Sequence, residues 1–271
     1  MVRGTGTHRT IGYPRTGVNR LVLSEDALVQ ALERVGLRAP VRFNEVTAST
    51  QATALELAAA GTPEWTLVAA GHQTEGRGRL GRMWVDLPGR ALMFSFVLRP
   101  ELDPASGGLL TLLAGTAMAQ ACFELADQRA ACKWPNDLLV AGRKSGGILA
   151  ESRLVGDRFE YVVIGIGVNL GAPPSDVPEA GAVEAEDDEL LGTFLAAFVP
   201  GYEPAHPAFA GSVIAAYRQV CATLGTRVRA TTTAGAIVEG EAVDLDERGG
   251  LLVRTTAGDE VVRFGEVEHL E

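Results

Sequence analysis

The segment GRGRLGR, residues 76–82, constrains this chain more than any other stretch. It places three arginines and three glycines within seven residues of a chain whose net charge is −10. Arginine is a permanently charged, planar fork that matches carboxylate and phosphate oxygens. Glycine lets the backbone approach a ligand closely and adopt positive φ. The composition therefore predicts a flexible loop that holds anions, with an ordinary solvated basic loop as the alternative.

The same residues fit the G-x-G-x-x-G pattern of dinucleotide-binding folds, but their surroundings do not. That fingerprint opens a helix and is followed by an acidic residue about 20 positions later. Here the residues that follow, 83–89, read MWVDLPG and have no helical periodicity. Pro88-Gly89 predicts a turn. A dinucleotide-binding loop is therefore rejected.

Length and composition favour a globular protein of one large domain or two. The chain has 271 residues, of which 46% are hydrophobic, and no apolar run resembles a signal peptide or a membrane span. Its acidic balance argues against a general binder of nucleic acid or membrane surfaces, but allows one small basic site. The cysteines form no C-x-x-C pair and the histidines lack metal-ligand spacing, so we expect a reduced, cytoplasmic protein without structural zinc. Cys122 and Cys221 are expected on apolar helical faces.

Periodicity along the chain predicts two domains after a disordered tail at residues 1–17. Residues 18–224 combine apolar helices, among them 109–126 and 209–224, with strands joined by hairpins. This pattern indicates an α+β fold, with helices packed on a mixed, largely antiparallel sheet. Residues 225–271 carry short alternating strands and predict a small β-barrel.

Several polar clusters in residues 18–224 would form one site if the fold brought them together. They are Ser49-Thr50-Gln51 at a helix start, Gln73 at a strand end, Lys133, Asn136 and Asp137 around a turn, Lys144, and the strand end GIGVN at residues 165–169. The free N–H groups and the hydroxyls of the helix start are expected to face outward.

Each cluster also has a purely structural interpretation. Ser49 is a good helix cap, and Asn136-Asp137 is a common turn dipeptide. Lys144 fits an exposed turn lysine and lacks the spacing of a Walker motif. The structural interpretations do not explain the set as a whole. Collected in one place, Arg77, Arg79, Arg82, Lys133 and Lys144 would make a cationic cleft suited to ATP together with a carboxylate substrate.

Four motifs, in this order and at these spacings, resemble the biotin protein ligases: GRGRLGR, KWPND (133–137), GRKSGGILAE (142–151) and GIGVNL (165–170). The resemblance covers residues 41–271. It implies a class II synthetase-like catalytic domain followed by an SH3-like barrel. It also implies an enzyme that makes biotinyl-5′-AMP from biotin and ATP with Mg²⁺. The biotinyl group is then transferred to one lysine of a biotin carboxyl carrier domain of a carboxylase.

The resemblance further implies roles for individual residues. For biotin, the implied contacts to the ureido ring come from Ser49, Thr50 and Gln73, and the backbone of Gly76 and Gly147 lines the pocket. Arg77, Arg79 and Lys144 are implied at the biotin carboxylate and the α-phosphate, where they act in catalysis. Those implied for ATP and the adenylate are Arg79, Arg82 and Lys144, with Asn136 and Asn169 near adenine and Trp84 packed on it once the loop closes.

The chain departs from the family pattern at one position and leaves several alternatives open. Gln51 stands where the family commonly has asparagine, so its role is not assigned. About 40 residues precede the first predicted strand, so we expect no DNA-binding domain and no nucleic-acid partner; a homodimer stays open. A lipoate or octanoate ligase is an alternative, although its Arg-Arg-x-x-Gly-Gly-Gly loop is missing. A non-catalytic biotin or nucleotide sensor is the other.

Overall fold

The chain forms a seven-stranded sheet and a five-stranded sheet, with helices packed on the larger one. The computed structural model describes residues 23–173, 175, 177–233, 235–263 and 265–270. The tail predicted at residues 1–17 lies outside the described residues.

The helices form largely where apolar periodicity predicts them. Their bounds are α1 Glu25–Arg34, α2 Thr50–Ala59, α3 Gly108–Ala126, α4 Asp187–Gly201 and α5 Phe209–Val220. The prediction for α5 was wrong at its end, because the helix stops at Val220 and not at residue 224. The following segment pairs with a strand: the Ala222 N–H donates to the Cys132 carbonyl oxygen at 2.8 Å. Cys221 therefore lies beyond the helix and beside Cys132, and not on an apolar helical face.

The larger sheet carries the site. Its strands are β1 Val41–Asn44, β2 Leu67–Ala70, β3 Ala91–Leu98, β4 Ala130–Lys133, β5 Asp137–Val140, β6 Arg143–Val155 and β7 Arg158–Asn169. They lie in the order β1-β2-β3-β7-β6-β5-β4. Among the strands described for this sheet, β1 and β2 pair in parallel and the other neighbours pair antiparallel. The predicted α+β class with a mixed, largely antiparallel sheet is confirmed.

The smaller sheet is antiparallel throughout. Its strands are β8 Arg227–Thr232, β9 Ile237–Leu245, β10 Leu251–Thr255, β11 Gly258–Val262 and β12 Gly265–His269. Gly249, in the turn between β9 and β10, adopts a φ of +83° that favours glycine. Sequence alternation did not single out β12, whose side chains alternate between buried and charged positions while it pairs with β8. This strand brings the smaller sheet to the site.

Helix α3 is the central core element. The segment Pro104–Ala126 is long and apolar enough to cross a membrane by length and composition, with a mean hydropathy of 1.5, yet 61% of its apolar window is buried inside the protein. It packs between the larger sheet and helices α4 and α5. An aromatic cluster joins α4 to β3: the ring centroids of Phe194 and Phe94 lie 5.3 Å apart, and those of Phe198 and Phe96 lie 5.2 Å apart.

Replacing Phe194 by alanine tests this packing. Phe194 is fully buried, so Phe194→Ala should lower the free energy of unfolding by about 3–5 kcal/mol through lost burial and a residual cavity. Denaturant unfolding followed by circular dichroism measures the change. The matched control is Phe123→Ala, because Phe123 is 52% exposed and should cost less than about 1 kcal/mol. Equal losses in the two variants would contradict the proposed contribution of the cluster.

Candidate active site

One cavity of about 550 Å³ collects the polar clusters that the sequence singled out. Its walls are the start of α2, strands β3, β5, β6 and β7, residues 77–79 and 82–85, and strand β12 of the smaller sheet. We call residues 76–82 the arginine loop. The predicted site residues that line the cavity are Ser49, Thr50, Gln73, Arg77, Arg79, Arg82, Trp84, Asn136, Lys144, Gly147 and Asn169.

Gly76 is the predicted site residue that does not line this cavity. A side chain at Gly76 would collide with the carbonyl oxygen of Trp84. The Trp84 N–H donates to the Gly76 carbonyl oxygen at 2.9 Å, so the incoming and outgoing parts of the loop approach closely at this point. The glycine is therefore required for the close approach of two backbones.

A buried hydrogen-bond network forms the uncharged end of the cavity. The Thr50 N–H donates to Oε1 of Gln73 at 2.7 Å, and the Thr50 hydroxyl lies 3.1 Å from the same oxygen and 3.0 Å from Oγ of Ser95. Ser49 and Thr50 are buried, which corrects the expectation that these hydroxyls face outward. The Gln73 side chain satisfies the free N–H at the start of α2 because the end of the strand approaches that helix start.

Gln51 and Ser95 belong to the same network. Nε2 of Gln51 donates to the Val163 carbonyl oxygen at 3.3 Å, and the Ser95 hydroxyl donates to Oε1 of Gln51 at 3.2 Å. A side chain at Gly165 would collide with the Gln51 amide, so the longer side chain at position 51 fits because residue 165 is glycine. Sequence reasoning missed Ser95. The available signal was a single polar residue within the buried strand ALMFSFVL.

Trp84 lies against the floor of the cavity. A Cβ atom at Gly167 would come within 2.6 Å of the indole ring, and one at Gly147 would lie 3.7 Å from it. The indole N–H is buried and has no hydrogen-bond partner among the described residues. A buried donor without a partner is costly, so this N–H marks a position where a ligand acceptor would be favourable.

The arginine loop contacts the smaller sheet. Arg79 donates to Oδ1 of Asn136 at 2.9 Å and to the Gly265 carbonyl oxygen at 3.0 Å. Arg82 forms an ion pair with Glu266 at 2.7 Å. Burial lowers the pKa of the Arg79 guanidinium, and the charges of Asp137 and Glu266 oppose that effect. Glu266 was not predicted, because no local pattern relates residue 266 to residue 82.

The other cations of the cavity differ in their partners. Lys144 forms an ion pair with Asp137 at 2.6 Å, so the aspartate of KWPND holds the lysine of GRKSGG. Arg77 and Lys133 line the cavity, and their side chains make no hydrogen bond or ion pair among the described residues. Lys133 and Lys144 are the two lysines of the whole chain. The five predicted cations all line the cavity, together with the carboxylates Asp137, Glu179, Glu266 and Glu268. The side chains of Arg77 and Lys133 are the cations available to meet an anion among the described residues.

Asn169 carries a second buried group without a partner. Its Nδ2 donates to the Gly181 carbonyl oxygen at 3.0 Å. Its Oδ1 is buried and has no hydrogen-bond partner within the described part of the chain. Asn136 differs, because its amide already serves Arg79 and the Ile148 carbonyl oxygen. Of the two asparagines predicted near adenine, Asn169 is the one with free hydrogen-bonding capacity.

Comparison with known proteins identifies the family. The model of the Biotin/lipoate A/B protein ligase family matches residues 43–169, and that of the Biotin protein ligase C terminal domain matches residues 223–270. The biotin--[acetyl-CoA-carboxylase] ligase of Mycobacterium tuberculosis is 35% identical, with 83% of this chain and 86% of the relative covered. The chain belongs to the biotin protein ligase family.

Two further relatives of this family are similar over most of the chain. The bifunctional ligase/repressor BirA of Bacillus subtilis is 32% identical, over 92% of this chain and 81% of the relative. The solved structure of the Aquifex aeolicus biotin protein ligase, in complex with biotin and ATP, is 25% identical with a TM-score of 0.65. That match covers 84% of this chain and 97% of the other.

Adding a methyl group beneath Trp84 tests the placement of its side chain. Gly167→Ala puts a Cβ atom within 2.6 Å of the indole and should displace the ring. For an enzyme of this family, KM for biotin should rise about tenfold, in line with the cost of overpacking. Gly147→Ala places its methyl group 3.7 Å from the same ring, an ordinary contact distance, and should have a much smaller effect. Equal KM values in the two variants would show that Trp84 does not depend on Gly167.

Proposed function

We propose that this protein joins biotin and ATP to form biotinyl-5′-AMP and then transfers the biotinyl group to a lysine of a carrier domain. The observation that carries the proposal is the layout of the cavity. An uncharged cradle of donors and acceptors lies at one end, cations lie at the other, and Trp84 lies between them. A ureido ring has both donors and acceptors, so it matches the network of Thr50, Gln73 and Ser95. A lipoyl dithiolane ring has neither, which favours biotin over lipoate.

Charge neutralisation accounts for the first step. A biotin carboxylate oxygen attacks the α-phosphorus of ATP, the bond to the β-phosphate oxygen breaks, and pyrophosphate leaves. Both reactants are anions, so Arg77, Arg79 and Lys144 would offset their repulsion and stabilise the charge on the phosphoryl oxygens. The carboxylate is already ionised, so the step needs no general base. Arg79 would exchange the neutral Asn136 and Gly265 oxygens for charged ones, which form stronger hydrogen bonds.

The second step is aminolysis of the mixed anhydride. The acceptor lysine amine attacks the biotinyl carbonyl carbon, the bond to the phosphate oxygen breaks, and AMP leaves while the nitrogen loses a proton. Lys144 would stay near the AMP phosphate and favour its departure. Closure of the arginine loop over the anhydride would exclude water and limit hydrolysis.

Asn169, Trp84 and Arg82 would contribute to holding the nucleotide. The unpaired Oδ1 of Asn169 suits the amino group of adenine, which is a hydrogen-bond donor. The indole of Trp84 offers a flat face for stacking and an N–H for a ligand oxygen. Arg82 would bind a phosphate only after leaving Glu266, so its role depends on movement of the arginine loop.

Magnesium fits the site as part of the nucleotide substrate. Among the described residues there is no group of three side chains that could hold a metal ion by themselves. Mg²⁺ commonly uses only one or two carboxylates in addition to phosphate oxygens and water. When bound, it supplies further charge neutralisation on the triphosphate.

The acceptor we propose is a biotin carboxyl carrier domain of an acyl-CoA carboxylase. Two of the relatives, from Mycobacterium tuberculosis and Paracoccus denitrificans, are named biotin--[acetyl-CoA-carboxylase] ligases. The smaller sheet contributes strand β12 to the rim of the cavity, so a carrier domain that reaches the reaction centre would lie close to this sheet.

Pyrophosphate release separates the candidate functions. With MgATP, the purified protein should release pyrophosphate when biotin is added and not when lipoate is added. Release with lipoate alone would mean a lipoate ligase on the same fold. Release with neither would favour a sensor, and binding of biotin or ATP by calorimetry would then identify its ligand.

Removal of Lys144 tests the charge argument. Lys144→Met keeps the length of the side chain but removes its charge, so the rate of biotin-dependent pyrophosphate release should fall about 100-fold or more. Arg218→Met is the control, because it removes a cation that pairs with Asp244 away from the cavity, and its rate should equal that of the wild type. An unchanged rate in Lys144→Met would exclude this lysine from the adenylation step.

A further inference from the structure

A buried carboxylate joins the two ends of the segment that contains the arginine loop. Oδ2 of Asp86 lies 2.8 Å from Nδ1 of His72, and Oδ1 of Asp86 accepts from the Gln73 N–H at 3.3 Å. His72 and Gln73 precede the arginine loop and Asp86 follows it. We call this arrangement the His72–Asp86 clasp. It was not predicted, because neither residue belongs to a motif.

The burial of Asp86 makes these contacts important. The side chain of Asp86 is fully buried and that of His72 is 31% exposed. Within the described part of the chain, the donors to the carboxylate are the imidazole of His72 and the Gln73 N–H. A buried carboxylate that loses its donors is strongly disfavoured. A carboxylate accepts hydrogen bonds, so Nδ1 of His72 is the donor in this contact.

The ends of the segment are held in different ways. The incoming end is fixed by backbone hydrogen bonds: the Thr47 N–H donates to the His72 carbonyl oxygen at 3.0 Å, and the Thr74 N–H donates to the Thr47 carbonyl oxygen at 2.9 Å. The outgoing end, residues 85–89, has no comparable ladder. Among the described residues, its hydrogen bonds to the incoming end are those of the Asp86 carboxylate. Asp86 therefore attaches a weakly held segment to a rigid one.

Each end of the segment contributes a cavity-lining side chain close to the clasp: Gln73 from the incoming end and Trp84 from the outgoing end. Gln73 donates its own N–H to Asp86 and uses its side chain on the Thr50 N–H. Trp84 is two residues before Asp86 and places its indole against Gly167. Together with the hydrogen bond from the Trp84 N–H to the Gly76 carbonyl oxygen, the clasp sets the distance between the uncharged cradle and the indole.

We infer that Asp86 is a positioning residue for biotin, and that His72 acts through it. The expected effect on KM for biotin rests on the proposed function, whereas the expected effect on cleavage of the arginine loop does not. The clasp sets where Trp84 lies relative to Gln73, and so sets the width of the biotin end of the cavity. Lys144 and Asn169 lie outside the clasped segment and have partners elsewhere, so part of the nucleotide end does not depend on the clasp. Loss of the clasp should therefore weaken binding of biotin more than binding of ATP.

The experiment uses paired variants of the full chain. Asp86→Ala and His72→Leu remove the clasp. His72→Asn keeps a donor close to the position of Nδ1, because the asparagine side-chain nitrogen is similarly placed. We expect KM for biotin to rise about tenfold in the first two variants, with KM for ATP and kcat changing less than about threefold. His72→Asn should restore KM for biotin to within about threefold of the wild type.

Limited trypsin digestion without substrates gives a second readout that does not depend on activity. Cleavage after Arg77, Arg79 and Arg82, followed by mass spectrometry, should be about tenfold faster in Asp86→Ala and His72→Leu than in the wild type and His72→Asn. Asp244→Asn, which breaks the exposed ion pair with Arg218, is the matched control and should leave cleavage and KM unchanged.

The outcomes separate the clasp from a general loss of stability. If Asp86→Ala and His72→Leu lower the melting temperature but leave KM for biotin and loop cleavage at wild-type values, the inference is wrong. It is also wrong if KM for biotin, KM for ATP and kcat all deteriorate together, or if His72→Asn behaves like His72→Leu. Should the wild type release no pyrophosphate, the proposed function fails, and the rate of loop cleavage alone then decides whether the clasp exists.

Discussion

Two glycines on β7 determine the shape of this site, because they leave space where other residues would carry a side chain. Gly165 and Gly167 are two positions apart on one strand, so both present the same face of the sheet. Gln51 packs over Gly165 and Trp84 packs over Gly167. Gly147, directly across from Gly167 on β6, extends the same trough. A side chain at either β7 position would push a polar or an aromatic wall of the cavity out of place.

The cationic half of the site depends on contacts between distant parts of the chain. Arg79 and Arg82 reach Gly265 and Glu266 of β12, so the smaller sheet holds the arginine loop near the cavity. These contacts are of moderate strength, because one acceptor is a neutral carbonyl and the Arg82–Glu266 pair is partly exposed. A bound carboxylate and phosphate can therefore compete for the same guanidinium groups. The arginine loop is thus held in place, while its guanidinium groups can exchange these acceptors for those of a ligand.

The sequence predicted the elements of the larger sheet well because their apolar periods are long and their turns are marked. Every predicted site residue except Gly76 lines the cavity, although the cavity also has lining residues that no motif marked. Contacts between residues far apart in sequence were not predictable. Ser95, Glu266 and Asp86 act through partners more than ten positions away, and nothing in their own neighbourhoods marks them. The predicted end of α5 was wrong for the same reason, because residues 221–222 pair with β4 instead of continuing the helix.

The chemistry of the proposed reaction also bears on why the positive charge is mostly arginine. Biotinyl-5′-AMP acylates amines, and a lysine near it competes with the acceptor whenever its nitrogen is unprotonated. Guanidinium groups bind carboxylate and phosphate without that risk, because they stay protonated in proteins. The chain has 24 lysines and arginines together, and only Lys133 and Lys144 are lysines. The nitrogen of Lys144 is engaged by Asp137 at 2.6 Å. A set of permanent cations in the cleft and a scarcity of competing amines thus follow from the same choice of residue.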